Sequence, residues 1–190
     1  MVNFEEIQKV IKNRRSVYPK SYLQKPIEKE VLLSLLECAN QAPTHRLTQP
    51  WRFKVFMGAG LNRLADELVK QYKEVTPVES FLQKKSDSIH EKVMQSGAVL
   101  AIGMNVSGKV PEWEEVAAVA SAVQNIWIAA STIKIGAYWS SPALIANLNS
   151  FLELKDTEKC IGLFYMGYHE EELGLGNRIP IEEQISWIEE

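Results

Sequence analysis

The sequence predicts a three-layer domain of the α+β or α/β class. Three observations carry this. Two apolar runs, Ala98 to Val106 (AVLAIGMNV) and Cys160 to Tyr168 (CIGLFYMGY), read as buried strands. Between them and before them, apolar residues recur at helical spacing. The resulting order is helices, strand, helices, strand, helix, strand, helix, strand, which one core can hold in three layers.

Taken in order, Phe4, Ile7, Val10 and Ile11 define a first helix ending near Asn13. A loop, NRRSVYPKSY, follows. Pro26 is expected to open a second helix, with Glu28 and Glu30 at the positive end of its dipole. Its buried stripe is Ile27, Val31, Leu32, Leu35, Leu36 and Ala39. That helix stops at Ala42-Pro43. A polar loop with His45, Arg46, Thr48 and Gln49 leads through Pro50 into a strand, Trp51 to Met57. There Trp51, Phe53 and Val55 share one face and Arg52 and Lys54 the other.

Gly58-Ala59-Gly60 turns the chain into a helix from about Leu61 to Lys73, and Thr76-Pro77 breaks it. A polar, loosely patterned helix from about Glu79 to Gln95 precedes the first buried strand. Glu112 to Ile133 is the longest helical run. Its middle is apolar nearly all round and rich in Ala and Ser, which suits a core or a two-fold interface. IGAYWSSPAL then gives a short strand, a polar turn and a helix start at Pro142. Residues 1–190 read as a single domain in which 169–190 form an extended C-terminal tail. From His169 onward the tail has no core pattern until Ile185, Trp187 and Ile188. It holds seven Glu and one base, Arg178.

Composition narrows the function classes. The 190 residues are 46% hydrophobic and 24% charged, as in ordinary globular proteins, and the net charge is −3. An acidic chain gives no global case for nucleic acid. One local exception is Ile7 to Ile27, with six bases and no acid. Cys38 and Cys160 sit in apolar runs and read as free thiols of a reducing, cytoplasmic setting, with a disulfide as the less favoured alternative. No apolar run reaches membrane-spanning length, and the N-terminus lacks the apolar core of a signal peptide.

Four stretches could carry chemistry, each with a plainer reading beside it. Arg14, Arg15 and Ser16 can grip a phosphate, or simply be a solvated helix end where cations are favourable. His45 can face a ligand or sit in an exposed loop. Trp139, Ser140 and Ser141 can offer hydroxyls and amides to a ring carbonyl, or cap a helix. Arg178 can complete a phosphate site or pair with a neighbouring Glu. Gly58-x-Gly60 resembles a dinucleotide fingerprint, but Arg63 stands at the third glycine, and an ordinary strand-to-helix turn is the simpler reading. The His and Cys positions lack metal-ligand spacing, so no metal is expected. No Gly-x-Ser-x-Gly elbow or Cys–His arrangement marks a hydrolase, so chemistry has to come from a cofactor.

Together, NRRSV, APTHRLTQPWRF, KVPEWEE, GAYWSSPAL and IGLFYMGY resemble, in order and over nearly the whole chain, the nitroreductase family of FMN enzymes. The short form, with His in a Pro-x-His-x-x-x-Gln-Pro-Trp loop, is the nearest likeness. The resemblance implies an α+β sandwich with a mostly antiparallel sheet between helices. It also implies an intertwined homodimer with FMN at the subunit interface. Carried over, Arg14, Arg15 and Ser16 hold the phosphate and ribityl end, and Gln41 and His45 lie along the flavin. Trp139, Ser140 and Ser141 come from the other side of the site, from the partner subunit, and Arg178 reaches the phosphate. Tyr18 departs from the family, standing where many members carry a base, and the polar group for the flavin pyrimidine edge has no assignment within Phe81 to Gln95.

The implied activity is a ping-pong oxidoreductase. NADH or NADPH gives hydride to flavin N5, and a nitroaromatic, quinone or other small electron-poor acceptor is then reduced. No side chain is needed as acid or base in the hydride step. A flavin-binding or sensor protein with little turnover is the alternative from another class. A nucleic-acid partner for the basic N-terminal segment ranks last.

Overall fold

A computed structural model describes residues 3–189. Among these, five α-helices and four strands follow in the order α1 (Phe4–Asn13), α2 (Lys29–Asn40), β1 (Trp51–Phe56), α3 (Ala59–Val75), α4 (Gln83–Met94), β2 (Ala98–Asn105), α5 (Glu112–Ser131), β3 (Ile135–Ser140) and β4 (Glu158–Tyr168). The strands form one antiparallel sheet in the order β1-β2-β4-β3. This is an α+β architecture. Because β1 and β2 are antiparallel, β1-Gly58-α3 cannot be half of a dinucleotide-binding βαβ unit. Gly58 is the helix cap, with φ of 52°.

Alternation along β2 builds two cores. Ala98, Leu100, Ile102 and Met104 face α2 and α5, where Leu32, Leu35, Val119, Val123 and Ile126 meet them. Val99 and Ala101 face α3 and the end of α4, against Leu64, Leu68 and Val93. β2 and β4 are central, covered on both faces, which is why they read as unbroken apolar runs.

Several boundaries differ from expectation. Pro26 does not open α2, which begins at Lys29, although Ile27 is fully buried ahead of it. The helix expected from Glu79 starts at Gln83, after a separate 3-10 turn at Val78–Ser80. Pro142 starts only a 3-10 turn, Ala143–Asn147. Trp51, Phe53 and Val55 do share one face of β1, but their burial falls along it, from 8% exposed at Trp51 to 39% at Val55 on the sheet edge.

α1 is well capped. The Asn3 side chain accepts from Glu6 N–H, and Asn3 N–H donates back to the Glu6 carboxylate, both at 2.9 Å. Yet α1 buries nothing: Phe4, Ile7 and Ile11 are all exposed. Trp113 and Val116 on α5 are exposed too, as are Leu175, Ile179, Ile181, Trp187 and Ile188 of the tail. Beyond β4 the described tail has only one short 3-10 turn, Ile181–Gln184. None of the helices among the described residues is long and apolar enough to cross a membrane.

Candidate functional site

The segment after α1 is clamped to the sheet. Arg14 caps the helix with extended backbone. Ser16 then forms a parallel bridge with Ala137 on the outer edge of β3, and Val17 N–H donates to Ala137 C=O at 3.1 Å. From below, the one proton of the buried Tyr22 hydroxyl is shared between the carbonyl oxygens of Val17 and Tyr165, 2.7 and 3.0 Å away. Burial pushes that phenol's pKa far above its ordinary value.

This clamp gathers three guanidiniums. Arg14 lies over the Trp127 ring of α5, 4.4 Å from its centroid. Its pKa is lowered, first by burial and then by the charges of Arg15 and Arg178. Arg15 donates through Nε to Gly174 C=O at 3.0 Å and through Nη1 to Arg14 C=O at 2.6 Å. A Cβ on Gly176 would stand 3.0 Å from Arg15 Nε and 3.1 Å from Arg178 Nη1, so the tail passes between these two side chains at a residue with none of its own. Among the described residues, none of the three arginines forms an ion pair with a carboxylate. Arg14 Nη1 and Trp127 Nε1 are both buried without a hydrogen-bond partner. Like charges converging beside unpaired buried donors fit an anionic, oxygen-rich group.

Trp139, Ser140 and Ser141 follow directly. Ser16 is bonded to Ala137 of the same chain, so Trp139 stands two residues along the same strand, roughly 7 Å away. No partner is needed to bring Trp139, Ser140 and Ser141 beside Arg14, Arg15 and Ser16. The β3 edge pairing places both groups in one chain, where the family resemblance had them meet across two subunits. Trp139 turns toward the α5 face and its indole covers Gly162, leaving no room for a side chain there. Ser140 faces the opposite side, into a cavity of about 290 Å³ with Tyr72, Lys85, Ser88, Lys92 and Pro142. A second cavity of about 420 Å³ shares Ser88 and Lys92 and continues to Tyr18 and Lys20. Lys85, Ser88 and Lys92 thus give α4 a polar row beside Ser140. In the sequence their only signal is the weak apolar pattern of α4.

The remaining predicted pair lies elsewhere. Gln41 is an exposed cap of α2, and His45 begins a 3-10 turn before β1. β1 and β3 are opposite edges of the sheet, about 14 Å apart for three strand spacings. One chain therefore does not bring Gln41 and His45 to Arg14. Instead His45 Nδ1 meets the Glu114 carboxylate in the first turn of α5 at 2.6 Å. Arg46, Leu47 and Gln49 all have φ between 41° and 53°, a costly backbone for residues with a Cβ. The loop is held in it by a Thr44–Thr48 hydroxyl bond, by Gln49 N–H to Thr44 Oγ1, and by Arg46 to Lys109 C=O.

Comparison with known proteins places this arrangement. The model of the nitroreductase family matches residues 11–168. YfhC of Bacillus subtilis, provisionally named an NAD(P)H nitroreductase, is 26% identical over 191 aligned positions, covering 95% of this chain and 93% of YfhC. The crystal structure of a nitroreductase-like family protein from Bacillus cereus superposes with a TM-score of 0.86 at 28% identity, covering 100% of this chain and 99% of that one. A nitroreductase with bound FMN from Bacteroides fragilis shares the fold at a TM-score of 0.69 and 18% identity, covering 99% and 100%.

Proposed function

Because the chain belongs to the nitroreductase family, we propose that it is an FMN-dependent NAD(P)H oxidoreductase acting as a homodimer on small electron-poor acceptors. The observation that carries this reading is the Arg14–Arg15–Arg178 cluster, whose mutual repulsion and unpaired Arg14 Nη1 call for a phosphate. Bound FMN would supply the chemistry, taking hydride from NAD(P)H and passing it to a quinone or nitroaromatic. The chain's own task is to hold and shield. Arg14, Arg15, Ser16 and Arg178 take the phosphate end. Ser140, Ser141 and the polar row of α4 (Lys85, Ser88 and Lys92) offer bonds to the ring's polar edge, while Trp139, on the α5 face of the same strand, stiffens β3 by packing over Gly162.

The dimer follows from α5. His45 is held at the Glu114 end of this helix and Arg14 at the Trp127 end, about 20 Å apart along the axis. The midpoint between Glu114 and Trp127 falls at Ala120–Ser121. There the exposed stripe Trp113, Val116, Ala117 and Ala120 is narrow enough for close helix approach. Two antiparallel copies of α5 crossing at that point would set each chain's His45 loop against the other chain's Arg14 site. Gln41 and His45 then complete the site from the partner. The apolar stripe of α1 and the exposed tail residues would be covered in the same assembly.

The test is an absorbance spectrum of the purified protein, before and after adding FMN, then NADH and NADPH without oxygen. A flavin spectrum that bleaches with a nicotinamide supports the proposal. Protein that stays colourless with FMN overturns it, and flavin that binds yet is not reduced supports the sensor reading instead.

A further inference from the structure

We propose that His45 and Glu114 form a proton-delivering dyad for the acceptor, with His45 the catalytic acid and Glu114 its positioning residue. The inference rests on the dimer reading above, which brings His45 to the partner's flavin site. Four observations carry it. The His45 Nδ1 to Glu114 contact is short, 2.6 Å, as expected when one partner is charged. The Glu114 side chain is 23% exposed and lies in the first turn of α5, where the helix dipole favours a carboxylate. The His45 side chain is 58% exposed, and its Nε2 makes no hydrogen bond among the described residues. Finally, three non-glycine residues with positive φ hold the turn in one shape, pinned to the Ser107–Lys109 loop ahead of α5. Backbone strain kept at a polar, exposed position is commonly tied to function.

The chemistry follows from the bonding. The Glu114 carboxylate accepts a hydrogen bond from Nδ1–H, which fixes the ring so that Nε2 faces outward. In the imidazolium form, Nε2–H is a donor aimed away from the protein. Reduction of a quinone needs one hydride and one proton. The hydride carries both electrons, derived from NAD(P)H in the proposed cycle, to one quinone oxygen. The Nε2–H bond breaks as the other oxygen takes its proton, giving the hydroquinone. Neutral His45, still donating Nδ1–H to Glu114, takes a new proton from water at its exposed side. Glu114 itself keeps its charge throughout.

The experiment compares two acceptors in the FMN-loaded dimer: a benzoquinone, which needs a proton, and ferricyanide, which takes electrons alone. The readout is the ratio of the two rates, in which any loss of flavin cancels. Glu114→Ala should lower the quinone-to-ferricyanide ratio about tenfold, and His45→Gln about a hundredfold, the lower end of general-acid effects. Glu114→Asp should recover part of the loss. Independently of turnover, nitrogen NMR of the flavin-free protein should show His45 bonded through Nδ1–H, a signature lost in Glu114→Ala. Unchanged ratios in both variants, or an Nε2–H ring in the native protein, overturn the dyad. If wild-type protein reduces neither acceptor, the oxidoreductase reading falls and takes the dyad with it.

Discussion

The Arg14 guanidinium sits 4.4 Å from the centre of the Trp127 indole, and each of the two side chains keeps a buried donor without a partner. An unpaired buried donor costs about 1–3 kcal/mol. Here two of them adjoin a cluster of like charges, since Arg15 and Arg178 both help to lower the Arg14 pKa. The fold tolerates the cost because Tyr22 and the Ser16–Ala137 bridge clamp the segment, and the anchored Arg14 has little freedom to swing out to water. A bound phosphate would satisfy the donors and cancel the repulsion together.

Arg14→Ala should therefore weaken FMN binding more than it weakens the fold. One charge-assisted hydrogen bond is worth about 1.5–3 kcal/mol, which converts to roughly a 10- to 100-fold rise in Kd. The thermal midpoint of the flavin-free protein should hold or rise, since the substitution relieves repulsion from Arg15 and Arg178. Arg14→Lys should restore only part of the affinity, lacking the planar fork. Titration by quenching of flavin fluorescence measures the first effect and a melt of the apoprotein the second. The double variant with Arg15→Ala should lose flavin on dialysis while staying soluble.

Ala120→Arg tests the assembly. Ala120 is exposed in the single chain, so the change should cost the fold little. At a helix crossing with axes 8–10 Å apart, an arginine has no room. Sedimentation should show monomer in place of dimer, with unchanged far-ultraviolet circular dichroism and with flavin lost. A variant that remains dimeric and yellow would contradict the α5 crossing proposed above.

The fold was legible where one chain settles it. β2 and β4 are apolar at nearly every position because helices cover both their faces, and α5 is apolar nearly all round in its middle because it packs on the sheet and on α2. The α1 stripe was read correctly as a helix, but periodicity alone does not say whether Phe4 and Ile7 are covered by the same chain; they are not. The candidate site was legible in part. Arg14, Arg15 and Ser16 adjoin in sequence, and Arg178, the lone base of its tail, lies with Arg15 beside Gly176. The contact of Trp127 with Arg14 was unreadable because inside an apolar helix a Trp looks like any core aromatic. The His45–Glu114 pair spans 69 positions, and no local pattern in a polar loop names a partner that far away.

His169 should make the fold acid-sensitive. Its ring is 6% exposed and its Nδ1 has no partner among the described residues. Burial, first, and then Lys134 lower its pKa below the ordinary 6.5, against a smaller raising effect of Glu171. The folded state thus resists the proton that the unfolded chain accepts. Its contribution is intact above about pH 6.5 and is lost as pH falls through the lowered folded pKa, with a slope of at most about 1.4 kcal/mol per pH unit for one proton. Urea midpoints measured from pH 7.5 to 5 should fall in the native protein and fall less steeply in His169→Gln. Equal slopes would assign the acid sensitivity to other groups.

Tyr22→Phe should show how far the arginine cluster depends on its clamp. The substitution keeps the ring, which lies against Gly167 so closely that a Cβ there would collide with it. It removes only the hydroxyl that joins the Val17 and Tyr165 carbonyls. Leaving buried acceptors unpaired costs about 1–3 kcal/mol, so the urea midpoint should drop by a matching amount at an unchanged m-value. Val17 N–H still bonds Ala137, so the Arg14–Ser16 segment stays on the β3 edge with one anchor in place of two. FMN affinity should therefore fall by less than tenfold, well short of the Arg14→Ala effect. If Tyr22→Phe instead loses flavin as completely as the double arginine variant does, the clamp and not the charge is what makes the site, and the order of these two effects decides between them.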